Sequence, residues 1–162
     1  MNKKYELLVD DTIAFSDWKL FRIKALISFG SVEAGELGGY VAKEGNLSHE
    51  GDAWVSGDAW VSGDAEVYGN AWVSGNARVS GDAQVSGDAR VKSLKDYIVF
   101  KNNWSSGRYF TYTKSNKMWR AGCFYGTGQE LINEAYKDNE NSGKHYEAYV
   151  NFVKILEELE NE

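Results

Sequence analysis

A six-residue period governs the middle of the chain. Residues 51–91 read GDAWVS GDAWVS GDAEVY GNAWVS GNARVS GDAQVS GDARV. Valine recurs at 55, 61, 67, 73, 79, 85 and 91, and alanine at 53, 59, 65, 71, 77, 83 and 89. A unit this short cannot bury an apolar face alone, so each must pack on its neighbours. Six residues do not make a whole number of α-helical turns, but they suit a short strand and a turn. In Ala-x-Val the two apolar side chains share one face and the residue between them points away. Gly-Asp or Gly-Asn then turns the chain, because glycine accepts positive φ and Asx side chains bond nearby backbone.

The pattern matches the hexapeptide class of β-helix. The expected fold class is mainly β: a hexapeptide-repeat single-stranded β-helix, with a C-terminal small β-sheet plus two helices. In that resemblance three hexapeptides make one left-handed coil, so equivalent positions lie 18 residues apart and stack about 4.8 Å from each other. The residues between Ala and Val then sort into three outer columns. Trp54, Trp72 and Arg90 form one, Trp60 and Arg78 a second, Glu66 and Gln84 a third with Tyr68 beside them. Arginine over tryptophan is a cation–π pair worth about 0.5–1 kcal/mol when exposed. At the corners, asparagine separates aspartates in two of three columns, which spaces like charges rather than gathering a metal site.

The chain divides into 1–50, with N-terminal β segments and an imperfect first coil; 51–92, the regular hexapeptides; and 93–162, a C-terminal β-β-β-α-α domain. GELGGY (35–40) reads as turn geometry, since it lacks the Lys-Ser/Thr ending and following helix of a phosphate loop. Strands are expected at 97–103, 108–114 and 117–124. Thr127-Gly-Gln-Glu130 has the spacing of a capping box. A second helix carries Tyr146, Tyr149, Val150, Val153, Leu156 and Leu159 on one stripe. Its acidic EELENE ending opposes the helix dipole and predicts a frayed last turn.

RIKAL, VEAGELGGYV and NLSHEGDAWVSGDA, with the hexapeptides that follow, resemble phage and prophage proteins of the hexapeptide-repeat, "polymer-forming" kind. The closing GRYFTYTKSNKMWRAGCFYGTGQELI is similar to a tail of phage proteins. The resemblance implies a phage origin rather than an activity, and the cytoplasm of a bacterial host as the compartment. Other features agree with that compartment. No apolar run approaches the ~20 residues that span a bilayer, and MNKKYELLVDD lacks a secretory apolar stretch. The balance of 18 Lys+Arg against 24 Asp+Glu gives a net charge of -6. That disfavours bulk adsorption to nucleic acid or to an anionic membrane.

Many hexapeptide β-helix proteins are acyltransferases, which need a general base, usually histidine, beside a thioester pocket. His49 and His145 both lie outside the regular repeats. The single cysteine, Cys123 in AGCF, excludes a disulfide framework or Cys-rich zinc site and reads as buried. No HExxH, GxSxG or Walker motif occurs. No catalytic residue, metal or cofactor is expected. Acyl transfer remains an alternative, as does a purely structural, oligomerising role.

Two surfaces are candidates for binding. Outward tryptophans one coil apart imply a covered face, and Trp and Arg are enriched at interface hot spots. Trp54, Trp60, Trp72, Arg78 and Arg90 are therefore candidate protein-interface residues, for a homo-oligomer (a trimer, by resemblance to other hexapeptide proteins), for a host protein, or for the chain's own flanking segments. Residues 101–129 hold five cations and no acid before Glu130, interleaved with aromatics. Lys101, Arg108, Tyr112, Lys114, Lys117, Trp119 and Arg120 are candidates for a nucleotide or other anion, since stacking beside a cation is how a base and its phosphate are held. The alternative is that these aromatics form a sheet core. The sequence thus reads as a non-catalytic phage-type binding protein, which counters host defence by holding a defence protein or sequestering a nucleotide signal.

Overall fold

The computed structural model describes residues 3–15 and 18–161. Strand β1 (Tyr5–Phe15) pairs antiparallel with β2 (Trp18–Ala25), with a register shift between Leu8 and Thr12. On its other side β2 pairs antiparallel with β3 (Leu37–Val41). GELGGY thus ends in a close-packed strand rather than a turn. A Cβ on Gly38 would stand 2.5 Å from the Val55 carbonyl oxygen, and one on Gly39 2.6 Å from that of Ala59. The glycines are there because the repeat backbone lies against them.

Each hexapeptide contributes a two-residue strand: β4 (Trp54–Val55), β5 (Trp60–Val61), β6 (Glu66–Val67), β7 (Trp72–Val73), β8 (Arg78–Val79), β9 (Gln84–Val85) and β10 (Arg90–Val91). Each pairs in parallel with the strand 18 residues away. Val55 faces Val73 and Val73 faces Val91; Val61 faces Val79; Val67 faces Val85. The N–H groups of Trp54, Trp60 and Trp72 donate to the carbonyls of Ala71, Ala77 and Ala89 at 2.9–3.1 Å. Every repeat valine and alanine is at most 1% exposed, so the small side chains fill the space between three ladders.

The mainly β single-stranded β-helix expected from the period is corrected here. Among the described residues the molecule consists of 14 short strands in several small sheets, plus two helices. The sheets are a mixed five-stranded one (β1-β2-β3-β5-β8), a three-stranded one (β10-β7-β4), a two-stranded one (β6-β9) and a four-stranded antiparallel one at the C-terminus. Two reasons stand out. The repeat strands are only two residues long. The largest sheet takes three of its strands from outside the repeat, two of its pairings being antiparallel. The period sets the valine register but does not make the whole architecture.

The C-terminal sheet has one strand more than the sequence predicts. It runs β11 (Tyr97–Lys101), β12 (Tyr109–Thr113), β13 (Met118–Ala121) and β14 (Phe124–Gly126), each antiparallel to the next. Alternation gives it two working faces. Phe110, Tyr112 and Trp119 pack against α1 (Gly128–Asp138) and α2 (Glu140–Glu160). Thr111 and Arg120 face the repeat: Thr111 Oγ1 accepts the Gln84 N–H at 3.0 Å, and Arg120 lies over the Tyr68 ring at 5.2 Å. The sheet is therefore a middle layer between repeat and helices.

The capping box forms as spaced, with Thr127 Oγ1 accepting the Glu130 N–H at 3.2 Å and Glu130 Oε1 accepting the Thr127 N–H at 2.9 Å. α2 stays helical to Glu160, despite its acidic ending, because the sheet supplies cations. Lys117 pairs with Glu157 at 3.0 Å, Lys114 pairs with Glu160, and the Tyr112 hydroxyl donates to Glu157. Burial pushes the Glu157 carboxyl up, but these hydrogen bonds and cations outweigh it and hold it below the usual range.

Candidate functional site

The tryptophan-bearing ladders are covered from within the chain. Trp54 is fully buried, with Phe29 5.3 Å and Tyr5 6.4 Å from it between ring centroids. The sequence places it on an outer column; the N-terminal segments wrap that column and take it into the core. Trp60 is half-buried beneath Arg78 at 4.1 Å, with Trp18 5.9 Å away. Trp72 is half-buried with Arg90 5.7 Å from its ring. The two arginines therefore cap the two remaining tryptophans in the columns that the 18-residue spacing lays out.

Around the N-terminus a cluster forms that sequence reasoning missed. The Lys4 backbone N–H donates to His49 Nδ1 at 3.1 Å, and the His49 ring stacks on Tyr5 at 4.2 Å. Burial lowers the His49 pKa; Glu44 opposes this and Lys3 and Lys4 reinforce it. Lys4 Nζ donates to the Ala53 carbonyl at 2.7 Å, and burial lowers its pKa to about 8 against the pull of Asp52. These groups close one end of the repeat core, and His49 serves there as a stacked hydrogen-bond acceptor. His145 stacks on Trp104 at 4.5 Å. Cys123 is exposed in the β13–β14 turn, not buried in a strand.

The basic and aromatic residues of 101–129 are not brought together as one site. Tyr112 and Trp119 are core residues, 4% and 2% exposed. Lys114 and Lys117 are paired with α2. Arg120 lies between the rings of Tyr68 and Tyr125, at 5.2 and 5.8 Å. Strand alternation separates them onto opposite faces of the sheet. Lys101 and Arg108 remain, at the end of the sheet where Lys101 pairs with Tyr109 in register. Lys101 Nζ stands 5.8 Å from the Tyr109 ring, and that ring is itself exposed.

A tight loop sets Arg108. The Gly107 N–H donates to the Asn102 carbonyl and the Asn102 N–H to the Arg108 carbonyl, at 2.9 and 2.8 Å. Buried Asn102 accepts the Ser105 N–H through Oδ1 at 3.0 Å. Among the described residues the Arg108 guanidinium makes no hydrogen bond or ion pair. Two cavities meet at Arg108, Tyr109 and Gly122. One, of about 200 Å³, is lined by Asn102, Ser105, Ser106, Asp138 and Tyr146. The other, of about 310 Å³, is lined by Asp64, Glu66, Asp82 and Gln84 from the two-stranded repeat sheet and its turns. Asp64 is held by Lys43 at 2.6 Å, whose hydrogen bond and charge lower its pKa.

The groove is thus polarised. A guanidinium and an aromatic face stand on one side with a single carboxylate, Asp138, and there the guanidinium suits an anion and the ring a flat group. Carboxylates and an amide occupy the other, suited to hydroxyl or amino donors. The acidic wall was missed because Glu66 and Asp82 approach Arg108 only through packing of the repeat against the sheet; the WSSGR loop was the one local signal. Comparison with protein-family models and with curated proteins finds no match to this chain.

Proposed function

We propose that the protein is a non-catalytic binding protein that holds a nucleotide in the groove between the repeat and the C-terminal sheet. Arg108 takes the phosphate, Tyr109 stacks on the base, and Glu66, Asp82 and Gln84 accept from sugar hydroxyls or base amino groups. The observation that carries this reading is the unpaired Arg108 guanidinium at the junction of two cavities, beside an exposed tyrosine ring. The resemblance to phage proteins supplies the setting, in which such a protein sequesters a nucleotide signal used in host defence without turning it over. Lys101 adds positive charge beside the Tyr109 ring, and capture should therefore weaken as salt rises.

Titration calorimetry with mono-, di- and cyclic nucleotides tests this. At least one should bind, Arg108→Ala should abolish binding, and Tyr109→Ala should weaken it by about 1–3 kcal/mol, the usual worth of one stacked base. Lys117→Ala, which alters a cation engaged with α2, should leave affinity unchanged. Absence of binding by every nucleotide tried would overturn the reading.

A further inference from the structure

Two unpartnered features lie side by side at the far edge of the C-terminal sheet. β11 pairs only with β12, so among the described residues its outer edge has no strand beside it. Its sequence, YIVFK, is rich in β-branched and aromatic residues, and a bare edge of this kind recruits another strand. Next to it, α2 has two apolar stripes. Val150 and Val153 are buried against the sheet, but Phe152, Ile155 and Leu159 are 48%, 55% and 59% exposed. Their spacing of three and four residues places them on one helical face. The Phe152 ring lies 6.4 Å from Phe100 of β11. Between strand and helix runs a groove of about 290 Å³, lined by Ile98, Leu156 and Leu159 and also by Lys95, Lys114 and Glu160.

We infer that this face pairs two copies of the chain, β11 to β11 and antiparallel, about a two-fold axis at Val99. Three observations choose a second copy as the occupant. First, the strand is self-complementary about Val99. Tyr97 comes opposite Lys101 of the second copy and Ile98 opposite its Phe100, whereas parallel pairing would oppose Lys101 to Lys101. Second, Ile98 and Phe100 lie on the helix side of the sheet. Phe100 of the second copy is thereby delivered to the groove beside Ile98. Third, edge and stripe form one surface, since the Phe152 ring of the stripe meets Phe100 of β11 at 6.4 Å between centroids. A two-fold axis uses the same patch twice and leaves no open edge to propagate.

Light scattering of the eluting full-length protein over a broad dilution series tests this. The expected mass at high concentration is twice that of the monomer. The double variant Phe152→Glu, Ile155→Glu should elute as a monomer with an unchanged circular dichroism spectrum. Val9→Glu, at a residue 73% exposed on β1, should remain a dimer. A second measurement covers the case of a misfolded double variant. Val99→Cys in a Cys123→Ser background should form a disulfide-linked dimer on mild oxidation, and Val9→Cys in that background should not. A wild-type monomer at all concentrations, a dimer indifferent to the double variant, or failure of Val99→Cys to cross-link overturns the inference. Arg108→Ala should keep the dimer mass, so this pairing and the nucleotide reading stand or fall separately.

Discussion

The repeat ladders are filled by the smallest apolar side chains and the C-terminal sheet by the largest. In the repeat, valine meets valine at a fixed register, and small side chains of similar size fill each level. In the C-terminal layer the core converges on a few rings. Phe110 alone has Tyr146, Tyr149, Phe100, Trp104 and Trp119 within 5.0–6.2 Å between centroids. The first arrangement spreads stabilisation evenly along the chain. The second concentrates it at a site where elements distant in sequence meet.

Truncation should expose that difference most directly. Phe110→Ala should cost about 3–5 kcal/mol, as for other fully buried aromatics. Val73→Ala removes two methyl-sized groups at about 0.8 kcal/mol each, and should cost about 2 kcal/mol with its cavity. Urea unfolding of the two variants gives the comparison. Equal losses would show that the aromatic cluster is no more concentrated than the ladders.

A smaller effect tests the seam between the regions. Gly81 and Gly87 have nearly the same φ, +66° and +64°. A Cβ on Gly81 meets nothing within 4 Å, whereas one on Gly87 runs into the Tyr125 hydroxyl of the C-terminal sheet. Gly81→Ala should cost about 1–2 kcal/mol for its left-handed backbone. Gly87→Ala should add about 1–3 kcal/mol of overpacking, and the Tyr125→Phe background should relieve part of that addition. If both alanine variants melt together, the sheet does not press on the repeat at Gly87.

The smallest effect concerns the N-terminal closure of the ladders. The folded protein holds His49 below the ordinary histidine value, so between the two values the unfolded chain binds more protons. The His49 contribution should be level above about pH 6.5 and should fall as pH drops below it, whereas Lys4, lowered to about 8, adds its own rise only above that value. His49→Gln should flatten the melting temperature between about pH 5.5 and 7, and Phe110→Ala should not. A slope that survives His49→Gln would place the titrating group elsewhere.

Local features were readable and meetings between distant segments were not. The 18-residue register follows from the period only with the three-hexapeptide coil that the resemblance implies, and the arginines over Trp60 and Trp72 follow from the register. The capping box needs only four consecutive residues. The overall architecture went beyond the period, because strands from 5–41 extend one ladder into a mixed sheet. Trp54 was expected to look outward, yet Tyr5 and Phe29 lie against it, and no rule of spacing predicts that segments 25 or more residues upstream return there. Within the candidate site, Lys101 and Arg108 were visible as cations in an acid-free stretch. Alternation alone could not show that Lys114 and Lys117 are claimed by Glu160 and Glu157.

The ladder register also dictates how this molecule can change length. Each two-residue strand bonds the one 18 residues away, so a lineage can gain or lose three hexapeptides together and keep every remaining side chain on its own face. Loss of a single hexapeptide would instead hand the C-terminal sheet a different ladder and separate Arg108 from Glu66 and Asp82. Length variants among descendants of this chain should accordingly come in triplets of the repeat.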